Sequence, residues 1–253
     1  MTLTLAVDCG GGGIKANVVH PDGTPAGKAM RVPTPYPLPP GRLIEVIAEI
    51  AAMLPPAERV TVGMPGMIRH GVVVYTPHYI TRSGPRTKVV PELLHSWSGF
   101  AMREAVAERL GIPAIVLNDA EVHGAGLVSG NGLELVATLG TGLGTAWFDN
   151  GRLAPHLELS HAHIRGDLTY DKYIGEVERR RLGNSMWSRR VLKMIDWLRP
   201  VFWWDRLYLG GGNAAWITPS IRARMAPDVT IVPNAAALAG GARAWELPLE
   251  TWG

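Results

Sequence analysis

The sequence predicts an α/β protein of two similar lobes flanking a cleft, the first over residues 1–117 and the second over 118–253. Three observations carry this. Apolar, strand-like runs alternate with helical periodicities along the whole chain. The segment LTLAVDCGGGGIKANVVHPDG (3–23) is echoed by LELVATLGTGLGTAWFDNG (133–151), each reading as strand, Gly-rich turn, strand and polar turn. A third Gly-rich turn, Gly210-Gly211-Gly212, again follows an apolar run, Leu207-Tyr208-Leu209.

The first hairpin is the richest element. Its opening strand delivers Asp8 to the lip of the turn Gly10-Gly11-Gly12-Gly13, with Lys15 just beyond. Glycines let a backbone approach an anion closely and aim its N–H groups inward. An acid beside such a turn suits Mg²⁺, which takes oxygen ligands and phosphate. The plainer alternative is a hairpin in which Asp8 only bonds the turn and Lys15 only pairs with an acid.

Leu43, Ile47, Ile50 and Leu54 then recur at helical spacing until Pro55-Pro56 stops them. A buried strand from Arg59 enters a tight turn at Met64-Pro65-Gly66. A helix over 99–110 leads to a strand from Ile112 that ends in Asn118-Asp119. Ligands of open α/β sheets bind outside the carboxyl ends of such strands, although Asn118-Asp119 also suits the cap of the next helix.

In the second half, Gly140-Thr141-Gly142 repeats the turn of the first hairpin. The turn Gly210-Gly211-Gly212 is predicted to open a helix, whose N-terminus favours phosphate. The small-residue run over 234–244 reads as a final helix packed closely on a neighbour, with the first lobe as one place for it. Trp187, Trp197, Trp203 and Trp204 are assigned mostly to the core, with stacking of one of them on a sugar or base as the alternative; Cys9 reads as a packing residue rather than a nucleophile, and Trp97 is a candidate wall of a pocket.

Composition sets the remaining expectations. A chain of 253 residues, 47% hydrophobic and 19% charged, suits a globular protein with a substantial core and no membrane span. The first strand begins at residue 3, so neither a signal peptide nor an added DNA-binding module is expected; the expected location is cytoplasmic. The lone Cys9 excludes an internal disulfide and a cysteine zinc site, and His161-Ala162-His163 alone falls short of a zinc site. The net charge of +3 is unevenly spread, with Arg179-Arg180-Arg181, Arg189, Arg190, Lys193 and Arg199 crowding one helical stretch. That stretch is either a solvated face or a track for a polyanion smaller than nucleic acid.

Taken in order, these motifs resemble the ROK sugar-kinase family, and within it the polyphosphate glucokinases, over nearly the whole chain. The resemblance runs through Asp8 to Lys15, through Leu117-Asn118-Asp119-Ala120 and through Thr138 to Thr145. It continues through Glu158-Leu159-Ser160-His161, the basic stretch from Trp187 to Trp197, and Leu209 to Asn213. Gly12 stands where the family carries Thr or Ser, Ser160 replaces the glycine of Glu-x-Gly-His, and the cysteine-rich zinc motif is absent.

The resemblance implies an actin-like, ribonuclease H-like fold and homodimers. It implies Asp119 as catalytic base toward the 6-hydroxyl of a hexose, and Asn118, Glu158 and His161 as sugar ligands. Asp8 would hold Mg²⁺. Gly10, Gly11, Gly12, Lys15, Gly140, Thr141, Gly142, Gly210, Gly211 and Gly212 would hold the phosphates of polyphosphate, ATP or both. Asp167, Asp171 and Glu176 are candidates for a further sugar-binding acid. An ATP-only hexose or amino-sugar kinase and a non-catalytic sugar-binding protein remain as alternatives.

Overall fold

The computed structural model of the chain describes residues 2–85, 87–233 and 236–248. It divides into two units, residues 1–126 with 235–253, and residues 127–234.

The first unit is built on β1 (Thr4–Gly10), β2 (Gly13–Val19), β3 (Met30–Val32), α1 (Pro40–Ala51) and β4 (Arg59–Met64). A small sheet follows from β5 (Met67–Arg69) and β6 (Val72–Tyr75), then α2 (Pro91–Trp97), β7 (Phe100–Ala101), α3 (Met102–Leu110), β8 (Ala114–Asn118) and α4 (Asp119–Ala125). The main sheet has the order β3-β2-β1-β4-β8. Strands β1, β4 and β8 run parallel while β2 and β3 return antiparallel. The carboxyl ends of the three parallel strands therefore share one edge, which presents the turn after β1 and the Asn118-Asp119 step after β8.

In the second unit, β9 (Leu133–Leu139), β10 (Leu143–Asp149) and β11 (Arg152–Leu153) lead through a 3₁₀ turn, Leu159–His161, to the ribbon β12 (His163–Arg165) and β13 (Leu168–Thr169). There follow α5 (Tyr170–Ile174), α6 (Glu176–Phe202), β14 (Arg206–Gly210), α7 (Pro219–Arg222) and β15 (Val229–Ile231). The sheet order β11-β10-β9-β14-β15 repeats that of the first unit: hairpin, antiparallel edge strand, then parallel neighbours. The echo in the sequence is thus a repeated hairpin of two seven-residue strands.

Each unit has its own core. Leu5, Val7, Ile14, Val18, Leu43, Ile47, Val60, Val62 and Trp97 anchor the first; Leu135, Trp147, Trp187, Val191, Ile195 and Leu207 anchor the second. Full burial of each aliphatic side chain contributes about 1.5–3 kcal/mol. The last helix, α8 (Ala236–Arg243), belongs to the first unit; part of the 234–244 prediction lies outside the described residues. Gly240 lies against Val122 O of α4 and Gly241 against Ala6 of β1, so neither position has room for a side chain.

Several expectations are corrected. The helix predicted over 99–110 begins at Met102, because Phe100-Ala101 joins the small sheet. A separate helix, α2, starts on Pro91 and was not foreseen. Trp97 is no pocket wall but a fully buried core residue whose Nε1–H donates to Leu38 O at 2.8 Å. Trp203 is 77% exposed; it follows the last residue of α6 in a left-handed backbone conformation that turns it out of the core. No α-helix follows Gly210-Gly211-Gly212; the chain makes one 3₁₀ turn, Ala214–Trp216, too short for the helix N-terminus that was expected to meet phosphate.

Candidate active site

In the first unit, β1 and β2 pair without slippage from Thr4↔Val19 to Gly10↔Gly13, so Gly11 and Gly12 alone form the turn. Three hydroxyls from elsewhere hold it. Tyr79 donates to Cys9 O at 2.8 Å, Thr34 to Gly10 O at 2.7 Å and Tyr36 to Gly11 O at 3.0 Å. Three successive carbonyls are thereby satisfied from the protein side. Burial pushes the Tyr36 phenol up to about 12, which keeps it a donor at neutral pH. A side chain at Gly11 would strike Pro85, whereas Gly12 faces open space. These hydroxyls were not foreseen; the nearest signal was the extended Thr34-Pro35-Tyr36-Pro37 run.

Asp8 pairs with Lys15 across the same hairpin, Lys15 Nζ standing 3.4 Å from Asp8 Oδ2. On the sheet, Asp8 lies level with Gly63 of β4, and Gly63 with Leu117 of β8. Because Gly63 has no side chain, the start of α4 packs close; a Cβ there would lie 3.4 Å from Asp119 Cα. Cys9 is fully buried, and its thiol is pushed up by that burial and then by the charges of Asp8 and Asp119. Both carboxylates therefore belong to one cluster at the carboxyl edge of the parallel strands, where open α/β sheets take their ligands.

Asn118 caps α4. Its Oδ1 accepts from Ala120 N–H at 2.8 Å, and Glu121 Oε2 accepts from Asn118 N–H at 2.9 Å, a complete capping box. Its Nδ2 donates to Gly66 O at 2.9 Å, and the residue is buried, at 3% exposure. Asp119, at the first helical position, is partly exposed and its Oδ1 accepts from Ala120 N–H at 2.9 Å. One turn on, His123 is buried; burial lowers its pKa against the opposing charge of Asp8, which favours the neutral ring.

The second unit assembles its own group. Leu139 pairs with Leu143 around Gly140-Thr141-Gly142. Gly140 O accepts from Asn213 Nδ2 at 2.9 Å, and Asn213 N–H donates to Leu139 O at 2.9 Å, which ties this turn to the one after β14. Gly211 sits at φ +83° over Leu139, while Gly212 faces open space. Asp171 Oδ1 accepts from Leu143 N–H at 2.8 Å and packs so closely on Gly142 that no side chain fits there. An acid thus lies at each of the two hairpin turns.

Glu158 precedes the 3₁₀ turn, its Oε1 accepting from Ser160 Oγ–H at 2.6 Å and its Oε2 lying 3.4 Å from His156 Nε2. Burial would raise its pKa, but hydrogen bonds from His156 and Ser160 and the charges of His156 and His161 outweigh burial and hold it low. His161 is exposed nearby. His156, buried and unforeseen, had no signal beyond its place two residues before the glutamate.

The basic stretch is not a bare track. Helix α6 is interrupted at Gly183, and Glu176 takes Arg179 and Arg180 while Glu178 takes Arg181 and Arg190. Arg199 pairs with Asp228. Two glutamates against four arginines leave positive charge, and Arg180, Arg181, Arg189 and Lys193 are exposed. Glu176, one of the candidate sugar acids, is committed to its two arginines.

Among the described residues, no three His, Cys, Asp or Glu side chains gather as a metal cage. Mg²⁺ needs none, since it is held by one or two carboxylates, waters and substrate phosphates; Asp8, beside a turn with an open face, fits that role. No helix among the described residues is long and apolar enough to cross a membrane.

The ROK family model matches residues 4–161, more than half of the chain. A polyphosphate glucokinase of Mycobacterium tuberculosis strain H37Ra is 27% identical over 254 aligned positions, 95% of this chain and 90% of that protein. The crystal structure of an inorganic polyphosphate/ATP-glucomannokinase from Arthrobacter sp. strain KM is 29% identical, with a TM-score of 0.78 over 97% of this chain and 100% of that one. A ROK family glucokinase from Streptomyces griseus, crystallised with glucose and AMPPNP, shares the fold at 19% identity. Its TM-score is 0.72 over 96% of this chain and 98% of that one.

Proposed function

We propose that this chain, which belongs to the ROK family, is a hexose kinase that transfers a phosphoryl group from polyphosphate, with ATP as a second donor, to the 6-hydroxyl of glucose or a related hexose. One observation carries the reading: Asp8 and Asp119 stand at the carboxyl edge of parallel strands beside a glycine turn whose outer residue, Gly12, faces open space. The similarity to proteins named for polyphosphate and glucose supports it.

Asp119 accepts the proton of the attacking hydroxyl as its oxygen bonds to phosphorus and the donor's bridging oxygen departs. A carboxylate suffices, because the hydroxyl grows acidic as the new bond forms, and positioning contributes most of the acceleration in phosphoryl transfer. Its place at the start of α4, fixed by the capping box of Asn118, supplies that positioning. Asp8 would hold Mg²⁺, which when bound neutralises charge on the donor phosphates. Gly10, Gly11, Gly12 and Lys15 bind phosphate, as do Gly140, Thr141, Gly142 and Gly210 to Gly212. Asn118, Glu158 and His161 bind sugar hydroxyls.

Polyphosphate is favoured over ATP as the main donor by the exposed cations of α6, Arg180, Arg181, Arg189 and Lys193. Binding of a long polyanion weakens steeply as salt screens such charges. The test is glucose phosphorylation with each donor over a salt series. A polyphosphate KM that climbs with salt much faster than the ATP KM supports the reading. Turnover with ATP alone would replace it with an ATP-only hexose kinase.

A further inference from the structure

We infer that Ser160, together with His156, is a positioning residue that fixes the carboxylate of Glu158 for hexose binding, an inference that rests on the kinase reading above. Ser160 stands where Glu-x-Gly-His has glycine, and a glycine offers no side-chain donor. Here the Ser160 hydroxyl donates to Glu158 Oε1 at 2.6 Å, and His156 Nε2 stands 3.4 Å from Oε2. Ser160 and His156 are 5% and 1% exposed, while the Glu158 side chain keeps 18%. The carboxylate is therefore gripped by buried partners yet still reached by solvent.

An ionised carboxylate only accepts, through about four lone-pair sites on its two oxygens. One site on each oxygen already has a partner, so an incoming sugar meets an acceptor whose orientation is set and whose remaining sites are few. A long acidic side chain otherwise loses rotamer freedom on binding, and fixing it beforehand removes that cost. A fixed acceptor also rejects a sugar lacking the matching hydroxyl, because the bound sugar covers the carboxylate and leaves it unmatched. Ser160 thus sets hexose affinity and hydroxyl selectivity without touching the reacting atoms.

The experiment measures kcat and KM for glucose and for each monodeoxyglucose in the wild type, Ser160→Ala and Ser160→Gly, with melting temperatures as a folding check. Both variants should raise the glucose KM about tenfold, as expected for one hydrogen bond to a charged group. They should leave kcat within about threefold and shrink the preference for glucose over the most strongly rejected monodeoxy analogue. Unchanged KM and selectivity in both variants, or a loss confined to kcat, would overturn the inference while leaving the kinase reading intact. A wild type that phosphorylates no hexose would instead overturn the kinase reading, and this inference with it.

Discussion

Lys15 Nζ lies 3.4 Å from Asp8 Oδ2, directly opposite it in the register of the first hairpin, with the two side chains 41% and 34% exposed. Pairs this open contribute about 0–1 kcal/mol, so the lysine is not held there by its value to folding. Lys15→Met should therefore change the unfolding free energy by no more than about 1 kcal/mol, read by denaturant titration. In the same variant the donor KM should rise while the hexose KM stays near its original value. A fall in stability without any change in donor KM would reduce Lys15 to a structural partner.

Asn118 and Asp119 are adjacent but differ in what they hold. Asn118 caps α4 and bonds Gly66 O from a buried position. Asn118→Ala should lose the cap, worth about 0.5–2 kcal/mol, and leave Gly66 O unmatched, so the variant melts well below the wild type. Asp119→Asn keeps shape and an acceptor for Ala120 N–H, and its melting temperature should stay within a few degrees. Equal destabilisation by both would mean that Asp119 is chiefly a helix-start residue.

Gly211 and Gly212 separate backbone need from ligand need. A Cβ on Gly211 would stand 2.4 Å from Leu139 O at φ +83°, so Gly211→Ala should destabilise the second unit whatever the donor. Gly212 has nothing within 4 Å, and Gly212→Ala should fold normally. If the turn after β14 meets the donor, Gly212→Ala will still raise the donor KM. An unchanged KM would remove Gly212 from the phosphate-binding set.

Glu176 gives a pH prediction. Hydrogen bonds from Arg179, opposed by slight burial and helped by Arg180, hold its carboxyl at about 2. The folded value lies below the unfolded one, so the native state is stabilised above about pH 4.5 and that contribution fades as pH falls toward 2. Stability curves against pH for the wild type and Glu176→Gln should differ at pH 7, by about 1 kcal/mol or less, and converge in acid. Parallel curves would contradict it.

Much of the fold is legible because the two hairpins announce themselves: an apolar run, a glycine turn and a closing Asp-Gly or Asp-Asn-Gly, twice over. Asp8, Asn118 and Asp119 fall at strand ends that alternating apolar runs locate well. The features that are not legible depend on distant partners. The hydroxyls of Thr34, Tyr36 and Tyr79 meet the first turn only after the sheet forms, and His156 reaches Glu158 only when the chain bends into its 3₁₀ turn. The helix expected after Gly212 stops after a single turn because Ile217 and Thr218 are extended, Thr218 as the residue that precedes Pro219. Trp203 follows a run of apolar residues, but its left-handed backbone turns it outward.

On the proposed mechanism everything turns on Asp119 as the base of a hexose kinase. The direct measurement is glucose-dependent sugar-phosphate formation, with Mg²⁺ and either polyphosphate or ATP, by the wild type and by Asp119→Asn. Turnover in the wild type that falls by about 10²–10⁴ in Asp119→Asn, at nearly unchanged hexose affinity, is the predicted result. Wild-type turnover that survives the substitution would contradict the assignment of the base, and absence of turnover with both donors across hexoses and amino sugars would contradict the kinase itself.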